Sequence, residues 1–475
     1  MDIQLHTTRI LLSSACRQFG PEIDYACDEI SLRIGRRLEA VSNDSVADAF
    51  YGPAGEETDL PHIVFDPLSY DKRAEAKCVE SSGLNYWAVG NAKVEMIDHL
   101  GSVFRLLNFL DEAKVREDDR DSRGVFGIAA LPVERQGVAT EPLVENHANS
   151  LAKKLFGDRW ESEPIWPCGK KLAVLITHDT DMAALRAPKE ILFNLGKAVI
   201  RRDTSFLRRA GMGIRSFGPA DTDPGFGFPS WREFADKNNA KSCFFLSTRE
   251  VAKWNLSDVR SSVLDYPDQL AYLKGLARNG FEFGLHASIN AKDSLDELIL
   301  AKRRIEDLLE TPVWGTRHHY WAIDWRNPHL TTRKQLNAGF RYDCSIAWRD
   351  SVGFRAGSCL PFRPFDPGRG RAQRMYLLPT AIMDGHLTSN EPGLDGPKSL
   401  ISEIVEKTNQ ASGLLCLDWH TDYAAPVFAE RNTCQSLQEI LKSLNRDAWF
   451  ATPQELVAHW HKRYTRLLGS GFYTR

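Results

Sequence analysis

Short apolar runs alternate with amphipathic stretches through the C-terminal part of the chain, from residue 171 onward. Each run is four to six residues long, is rich in Val, Ile, Leu and Phe, and is followed by polar residues. This pattern predicts buried strands. The predicted strands are 172–177, 242–246, 281–285, 313–316, 341–345, 375–379, 414–418 and 448–451.

The stretches between these runs have apolar residues at helical spacing. DQLAYLKGLARNG ends on Gly280, at the position that favours a left-handed backbone, and SLDELILAKRRIEDLLE begins with a capping box from Ser294 to Glu297. Repeated strand–helix units with eight strands predict an α/β fold built on an irregular (β/α) barrel. An open, doubly wound sheet is the alternative.

The pattern before residue 165 is weaker and mixes α and β signals. VEMIDHLGSVFRLLNFLDEA has apolar residues at helical spacing, and a charged turn follows it. A linker that carries Trp and Pro, GDRWESEPIWPCGK, then leads into the first strand of the barrel. We therefore predict a smaller N-terminal α+β accessory domain over residues 1–165 and a barrel domain over residues 166–475.

Composition and charge narrow the class of protein. The chain has 475 residues, 43% of them hydrophobic and 26% charged, which is typical of a globular protein with more than one core. The formal net charge of −3 gives no reason to expect nucleic acid as a partner. We find neither a secretory signal nor a long apolar run, and the nine cysteines are scattered without a C-x-x-C pair, so we expect a cytoplasmic protein with reduced thiols.

One predicted helix has the features of a segment that could bind a membrane surface. KEILFNLGKAVIRRDTSFLRR carries four arginines, Arg201, Arg202, Arg208 and Arg209. A basic amphipathic helix can dock on anionic lipid. Exposed arginines are more often only a solvated helix face, so membrane contact is the less favoured interpretation.

The chemistry is expected at the C-terminal ends of the strands, because that is where a (β/α) barrel builds its active site. Six of the eight predicted strand ends carry His, Asp or Arg, although the chain has only 13 histidines. Five of these ends carry His178, Asp179, Asp181, His286, Arg317, His318, His319, Asp384, His386, Asp418 and His420, and the sixth is YDCSIAW at the end of the fifth strand. A strand leaving the core through a polar turn explains any one of these ends but not six.

Carboxylate oxygen and imidazole nitrogen together suit a divalent metal, most often zinc. We predict Asp181 and His286 as ligands, with Asn290, four residues further on, or a water completing the set. Asp179 is then available as a base towards metal-bound water, and Arg317 would keep it ionised.

The motifs THDTD, GLHASIN, RHHY, YDCS and LDWH resemble, in order and approximate spacing, those of the polysaccharide deacetylase family. These are metal-dependent carbohydrate esterases with a distorted (β/α) barrel, and the N-terminal part resembles the domain that precedes this barrel in a bacterial subgroup. The resemblance implies that Asp179 is the catalytic base, Asp181 the metal-binding aspartate and His286 the first metal-binding histidine.

The same resemblance implies that Arg317 orients the base, that the backbone N–H of Tyr320 stabilises an oxyanion, and that His420 protonates the departing amine. Asn290 stands where the family has a second histidine, and the two aspartates of the first motif are separated by Thr180.

The function we predict is hydrolysis of an N-acetyl or similar acyl group from an amino sugar or polysaccharide precursor by a metal-activated water. This would make the protein a hydrolase of carbon–nitrogen bonds other than peptide bonds, with a carbohydrate substrate contacted by His319, Trp348 and Asp384. The alternatives are a catalytically degenerate glycan-binding or scaffolding protein of a surface-polysaccharide assembly system, and a metal-dependent amidohydrolase acting on a small molecule.

Overall fold

The computed structural model describes residues 7–43, 47–90, 93–182, 184–216, 223–248, 261–388, 396–425, 427, 433–444 and 447–469. Two sheets dominate the architecture, a small one near the N-terminus and a large curled one that contains the strand ends singled out above. Among the described residues, none of the helices combines the length and the apolar character needed to cross a bilayer.

The N-terminal part is built on a four-stranded parallel sheet in the order β2-β1-β3-β4. A separate antiparallel hairpin, β5–β6, lies beside helices α2 and α4. The strands are β1 (Thr8–Leu12), β2 (Leu38–Val41), β3 (Ala49–Pro53), β4 (His62–Phe65), β5 (Ala76–Ser81) and β6 (Leu84–Val89). The helices are α1 (Gly20–Ile34), α2 (His99–Leu107), α3 (Pro132–Arg135) and α4 (Leu143–Phe156).

The second part contains a sheet of nine strands, and every pairing in it is parallel. The order is β14-β11-β10-β9-β8-β7-β16-β15, with β17 paired to β7. The strands of this part, including a short hairpin β12–β13, are β7 (Leu172–Thr180), β8 (Ser242–Ser247), β9 (Glu282–Ala287), β10 (Gly315–His318), β11 (Tyr342–Ile346), β12 (Phe365–Asp366), β13 (Arg371–Ala372), β14 (Tyr376–Pro379), β15 (Ile382–Met383), β16 (Leu414–Asp418) and β17 (Ala448–Phe450).

Helices connect these strands, as the alternation of the sequence predicts. Helix α8 ends before Gly280, which has a φ of 83°, and Ser294 caps α9 by accepting a hydrogen bond from the backbone N–H of Glu297. The helices are α5 (Pro188–Arg201), α6 (Thr204–Arg215), α7 (Phe228–Asn238), α8 (Pro267–Arg278), α9 (Leu295–Leu309), α10 (Pro328–Asn337), α11 (Gly385–Thr388), α12 (Gly396–Gln410), α13 (Thr433–Ser443) and α14 (Pro453–Leu468).

The large sheet curls so that its two edge strands, β14 and β15, approach each other, and only two residues separate them in the sequence. Residues 380 and 381 cross from β14 to β15: the N–H of Thr380 donates to the carbonyl of Ile346 at 2.8 Å, and the N–H of Ala381 donates to that of Cys416 at 3.0 Å. All eight predicted strands are present, and the predicted distorted barrel is confirmed. The alternative of an open sheet is wrong, because this crossing brings the edges together.

Buried ion pairs join the N-terminal part to the barrel. Arg355 lies 2.7 Å from Glu112, and Arg363 lies 3.2 Å from Glu29, while Glu145 accepts a hydrogen bond from the hydroxyl of Ser358. The apolar core of the N-terminal part also includes barrel residues that follow β10 and β11. The N-terminal part therefore supports the barrel beside two of its site-bearing strands.

Candidate active site

The ends of four barrel strands, β7, β9, β10 and β16, bring ionisable side chains together. Neighbouring parallel strands end at the same edge of a sheet, and β10, β9, β8, β7 and β16 are neighbours here. Asp179 lies in β7 and Asp181 directly after it, His286 lies in β9, and His420 follows β16. These residues, far apart in sequence, therefore lie around one point at the mouth of the barrel.

Asp181, His286 and His319 form the group that could hold a metal ion, since one ligand atom from each lies within 4.8 Å of the others. Nε2 of His286 is 3.1 Å from Oδ1 of Asp181, and Nε2 of His319 is 3.5 Å from Oδ2 of Asp181. Two ligands of a tetrahedral zinc ion, each about 2.0–2.2 Å from it, are themselves about 3.3–3.6 Å apart. The spacing of these atoms therefore fits a divalent cation.

A second observation also fits a cation. Both ring nitrogens of His286 and Oδ1 of Asp181 are buried, and none of them has a hydrogen-bond partner within the described part of the chain. Leaving buried polar atoms unsatisfied costs about 1–3 kcal/mol each. A cation bound by Nε2 of His286 and Oδ1 of Asp181 would remove that cost for two of these three atoms.

The third member of this group is His319 rather than Asn290. His319 follows β10, where the backbone turns sharply: Tyr320 and Trp321 have φ values of 57° and 50°. Such left-handed conformations are costly for bulky residues and cluster at functional sites. Asn290, by contrast, is exposed on a short 3-10 helix after β9. His319, which we predicted to contact substrate, is therefore better placed for the role that we predicted for Asn290.

Asp179 lies in the buried interior beside the cation group and is paired with Arg317. Nη1 of Arg317 is 2.9 Å from Asp179 and 2.8 Å from Asp418, and its Nη2 donates to the hydroxyl of Thr177 at 2.8 Å. Burial acts to raise the pKa of Asp179, but Arg317, helped by His286, outweighs it and holds that pKa below the usual value. Asp179 is thus an ionised carboxylate 3.6 Å from Nδ1 of His286.

Asp418, the last residue of β16, is the second carboxyl group beside Arg317. It is fully buried on the other side of the Arg317 guanidinium. Burial raises its pKa well above the usual value for a carboxyl, against the opposing effect of Arg317. One arginine therefore faces two carboxyl groups whose pKa values are shifted in opposite directions, downward for Asp179 and upward for Asp418.

His420 also approaches Asp181, with its Nε2 3.5 Å from Oδ2 of that residue. Its Nδ1 is 2.9 Å from Oδ1 of Asp384, and its backbone N–H donates to Oδ2 of the same carboxylate at 2.6 Å. Burial acts to lower the pKa of His420, but Asp384 and then Asp181 raise it well above the usual value. The carboxylates of Asp384 and Asp181 therefore favour the protonated form of the His420 ring.

The two remaining predicted substrate contacts need correction. Asp384 is fully buried beneath His420, so it positions that ring and is not open to a sugar. Trp348 is only 4% exposed and belongs to the core of the N-terminal part, where the guanidinium of Arg355 lies 5.1 Å from its ring. Tyr320 is 37% exposed, and its ring contacts both His319 and Arg123 of the N-terminal part.

His178, the histidine of the THDTD motif, has a structural role. Its ring is packed between Trp231 and Phe244, and its two nitrogens lie 2.8 Å from the carbonyl of Trp419 and 3.1 Å from the hydroxyl of Ser242. Burial lowers its pKa to about 3. It is therefore a neutral ring that ties β7 to β8 and to the segment after β16.

A cavity of about 320 Å³ opens beside the cation group and His420. Asp422, which sequence analysis missed, also lines it, and burial raises the pKa of this carboxyl to about 7. Its position two residues after His420 was the available signal. The opposite wall of the cavity comes from α5 and α6, through Lys197, Arg201 and Arg209 among others.

No protein-family model matches the chain, and no curated protein matches it. Several solved structures are similar to it. One, assigned as a polysaccharide deacetylase from Mycobacterium smegmatis, is 18% identical over 63% of this chain and 93% of its own, with a TM-score of 0.40. The Puue allantoinase is 12% identical over 67% of this chain and 97% of its own, with a TM-score of 0.40. A third, assigned as a polysaccharide deacetylase from Pseudomonas aeruginosa, is 13% identical over 65% and 96%, with a TM-score of 0.39. Polysaccharide deacetylases are thus among the structures that this chain resembles.

Proposed function

We propose that the protein is a metal-dependent hydrolase that removes an N-acetyl or similar acyl group from an amino sugar or a polysaccharide precursor. The observation that carries this proposal is the convergence of Asp181, His286 and His319 beside the carboxylate of Asp179 and the imidazole of His420. A base and an acid beside one cation group form the arrangement that amide hydrolysis needs, since water must lose a proton and the amine must gain one.

Asp181, His286 and His319 would hold the cation. A divalent cation bound there would supply a Lewis acid that polarises the acyl carbonyl and acidifies water. Zinc is the candidate that best suits one carboxylate and two imidazole ligands with a position left open.

Asp179 accepts the proton of the attacking water. Arg317 keeps this carboxylate ionised at neutral pH and fixes its orientation, because the guanidinium is itself held by Asp418 and Thr177. The oxygen of the water forms a bond to the acyl carbon, and the backbone N–H of Tyr320, presented by the strained turn after β10, donates a hydrogen bond to the carbonyl oxygen as it becomes negative.

His420 completes the reaction as the general acid. As the carbon–nitrogen bond breaks, the Nε2–H of His420 protonates the departing nitrogen, so that the products are a carboxylic acid and a free amine. Asp384 accepts the Nδ1–H of the same ring and stabilises its charged form. This pairing presents the protonated nitrogen to the cavity.

The test measures acetate release from N-acetylglucosamine oligomers by the purified protein loaded with zinc, together with its metal content. We expect Asp181→Ala and His286→Ala to abolish release and to lower the bound zinc. Asp236→Ala on α7 and His329→Ala on α10 are matched controls outside the site and should change neither. Unchanged release in the Asp181 and His286 variants would refute the mechanism.

The glycan-binding alternative makes a different prediction for the same experiment. A scaffolding protein would bind the oligomers without releasing acetate, whether or not zinc is present. The convergence of three ligands on one point supports the enzyme over the scaffold.

A further inference from the structure

The α5–α6 hairpin, Pro188–Arg201 and Thr204–Arg215, exposes an unusual amount of apolar surface. Six of the thirteen large apolar side chains that are exposed in the described part of the chain belong to it. Val199 and Ile200 are 78% and 81% exposed. The six residues are Leu192, Leu195, Val199, Ile200, Leu207 and Ile214.

These side chains form stripes and are not scattered. Leu192, Leu195 and Val199 are spaced by three and four residues, so they share one side of α5, and Leu207 and Ile214, seven apart, share one side of α6. The inner side of the hairpin is fixed on the barrel, since a Cβ atom at Gly213 would lie only 2.4 Å from the carbonyl oxygen of Leu185. The apolar stripes therefore belong to a well-packed pair of helices that faces outward.

The hairpin is strongly basic, in contrast to the chain as a whole. It carries seven basic residues and only two acidic ones between residues 188 and 215, while the complete chain has a net charge of −3. Arg202 and Arg215 are exposed beside the apolar stripes, and one of the two acids, Glu190, is buried. Apolar side chains flanked by arginine are the features with which a protein surface binds anionic lipid.

The hairpin also reaches the catalytic cavity. Lys197, Arg201 and Arg209 line the same cavity as Asp181 and His420. Helices α5 and α6 thus have two functions in this arrangement. Their outer faces present the apolar stripes, and another face forms a wall of the candidate active site. A surface bound by this hairpin would lie beside the entrance to the site.

We propose that the α5–α6 hairpin docks the protein on an anionic lipid membrane, with its apolar stripes in the interfacial region and its arginines against lipid phosphates. A second copy of the chain fits this surface less well, because a symmetric contact would place seven basic residues against seven. Nucleic acid would satisfy the arginines but would leave the apolar stripes in water.

The test is co-sedimentation of the full-length protein with vesicles of phosphatidylcholine containing 30% phosphatidylglycerol, and with vesicles of phosphatidylcholine alone, at low and high salt. We expect binding to the anionic vesicles that weakens with salt. The variant Val199→Ser with Ile200→Ser should bind at least about tenfold more weakly. The variant Arg202→Gln with Arg215→Gln should lose about thirtyfold on anionic vesicles only.

The matched control is Leu300→Ser with Arg303→Gln on α9, where a leucine that is 50% exposed lies beside an exposed arginine. This variant should bind vesicles as the parent protein does. Vesicle binding that the hairpin substitutions leave unchanged, or no binding at all, would overturn the proposal. Concentration-dependent dimerisation that Val199→Ser with Ile200→Ser abolishes, without vesicle binding, would identify a protein interface instead. None of these measurements depends on the hydrolase activity.

Discussion

Nδ1 of His420 lies 2.9 Å from Oδ1 of Asp384, and the backbone N–H of the same histidine donates to the other oxygen of that carboxylate. The carboxylate thereby fixes both the ring and the chain of the proposed general acid. Because Asp384 is fully buried, it acts on the reaction only through His420.

Asp384→Asn should therefore lower kcat for deacylation by about 10²–10⁴-fold while KM changes little. The amide cannot stabilise the imidazolium, so the pKa of His420 should fall and the alkaline limb of the kcat–pH profile should move to lower pH. Steady-state kinetics between pH 5 and pH 9 measure both effects. A variant with a normal pH profile would show that His420 is not the acid, and Asp236→Asn on the surface of α7 is the control.

Loss of Arg317 should destabilise the fold, because it leaves two buried carboxyl groups without their common cation. We expect Arg317→Gln to lower the free energy of unfolding by about 3–5 kcal/mol, as is typical of a broken buried ion pair. Adding Asp418→Asn should recover part of this loss, since one of the two carboxyl groups is then removed. Urea unfolding of the parent, Arg317→Gln, Asp418→Asn and the double variant measures the coupling, and independent, additive effects would contradict the shared pairing.

Measurements of metal affinity alone can show whether His319 or Asn290 is the third ligand. His319→Ala should weaken zinc binding by on the order of a hundredfold or more, whereas Asn290→Ala should leave it nearly unchanged. Competition with a chromophoric chelator gives both affinities without an activity assay. If Asn290→Ala has the larger effect, Asn290 is the ligand, as its spacing from His286 predicts, and His319 is not.

The pH dependence of stability has a clear contribution from Asp98 in the N-terminal part. This side chain is buried, accepts hydrogen bonds from the hydroxyl of Tyr51 and the N–H of Gly101, and caps α2. Burial outweighs these bonds and raises the pKa of Asp98 to about 7. Its usual pKa when unfolded is about 3.9, so the folded state holds a proton that the unfolded state releases.

The stabilisation from this proton is fully present below about pH 4 and is lost as pH rises through 7. Relative to Asp98→Asn, the parent protein should therefore lose stability between pH 4 and pH 7, by up to about 4 kcal/mol. Urea unfolding of both proteins at pH 5, 6, 7 and 8 measures this difference. A difference that is constant across the range would show that Asp98 is ionised throughout.

Much of the fold and part of the site could be predicted from the sequence. The strands were recognisable because a parallel barrel buries both faces of each strand, which leaves nearly continuous apolar runs such as LAVLIT. The two-residue strand β15 was missed because so short a segment carries no pattern. Asp181 and His286 could be predicted as metal ligands because each lies at the end of a buried strand, where an ionisable side chain is costly unless it binds something.

The remaining site residues depend on tertiary contacts that spacing does not encode. Asn290 was chosen because residues four apart share a helix face, but its side chain is exposed, whereas the strained turn at Tyr320 accompanies His319 near Asp181. Trp348 was expected at a sugar-binding groove, but the N-terminal part packs over it. Asp384 does follow a strand, but only its burial and its hydrogen bonds to His420 show that it positions that ring.

The buried pairs Arg355–Glu112 and Arg363–Glu29 have a consequence for how the chain can be divided. A fragment that begins at residue 166 would retain Arg355 and Arg363 without these buried counter-charges, and an N-terminal fragment would retain Glu112 without its arginine. Each part of the chain thus supplies counter-charges that the other part needs for its buried ionised groups. Truncation between the two should yield insoluble fragments, and co-expression of both halves should rescue them by reassembly.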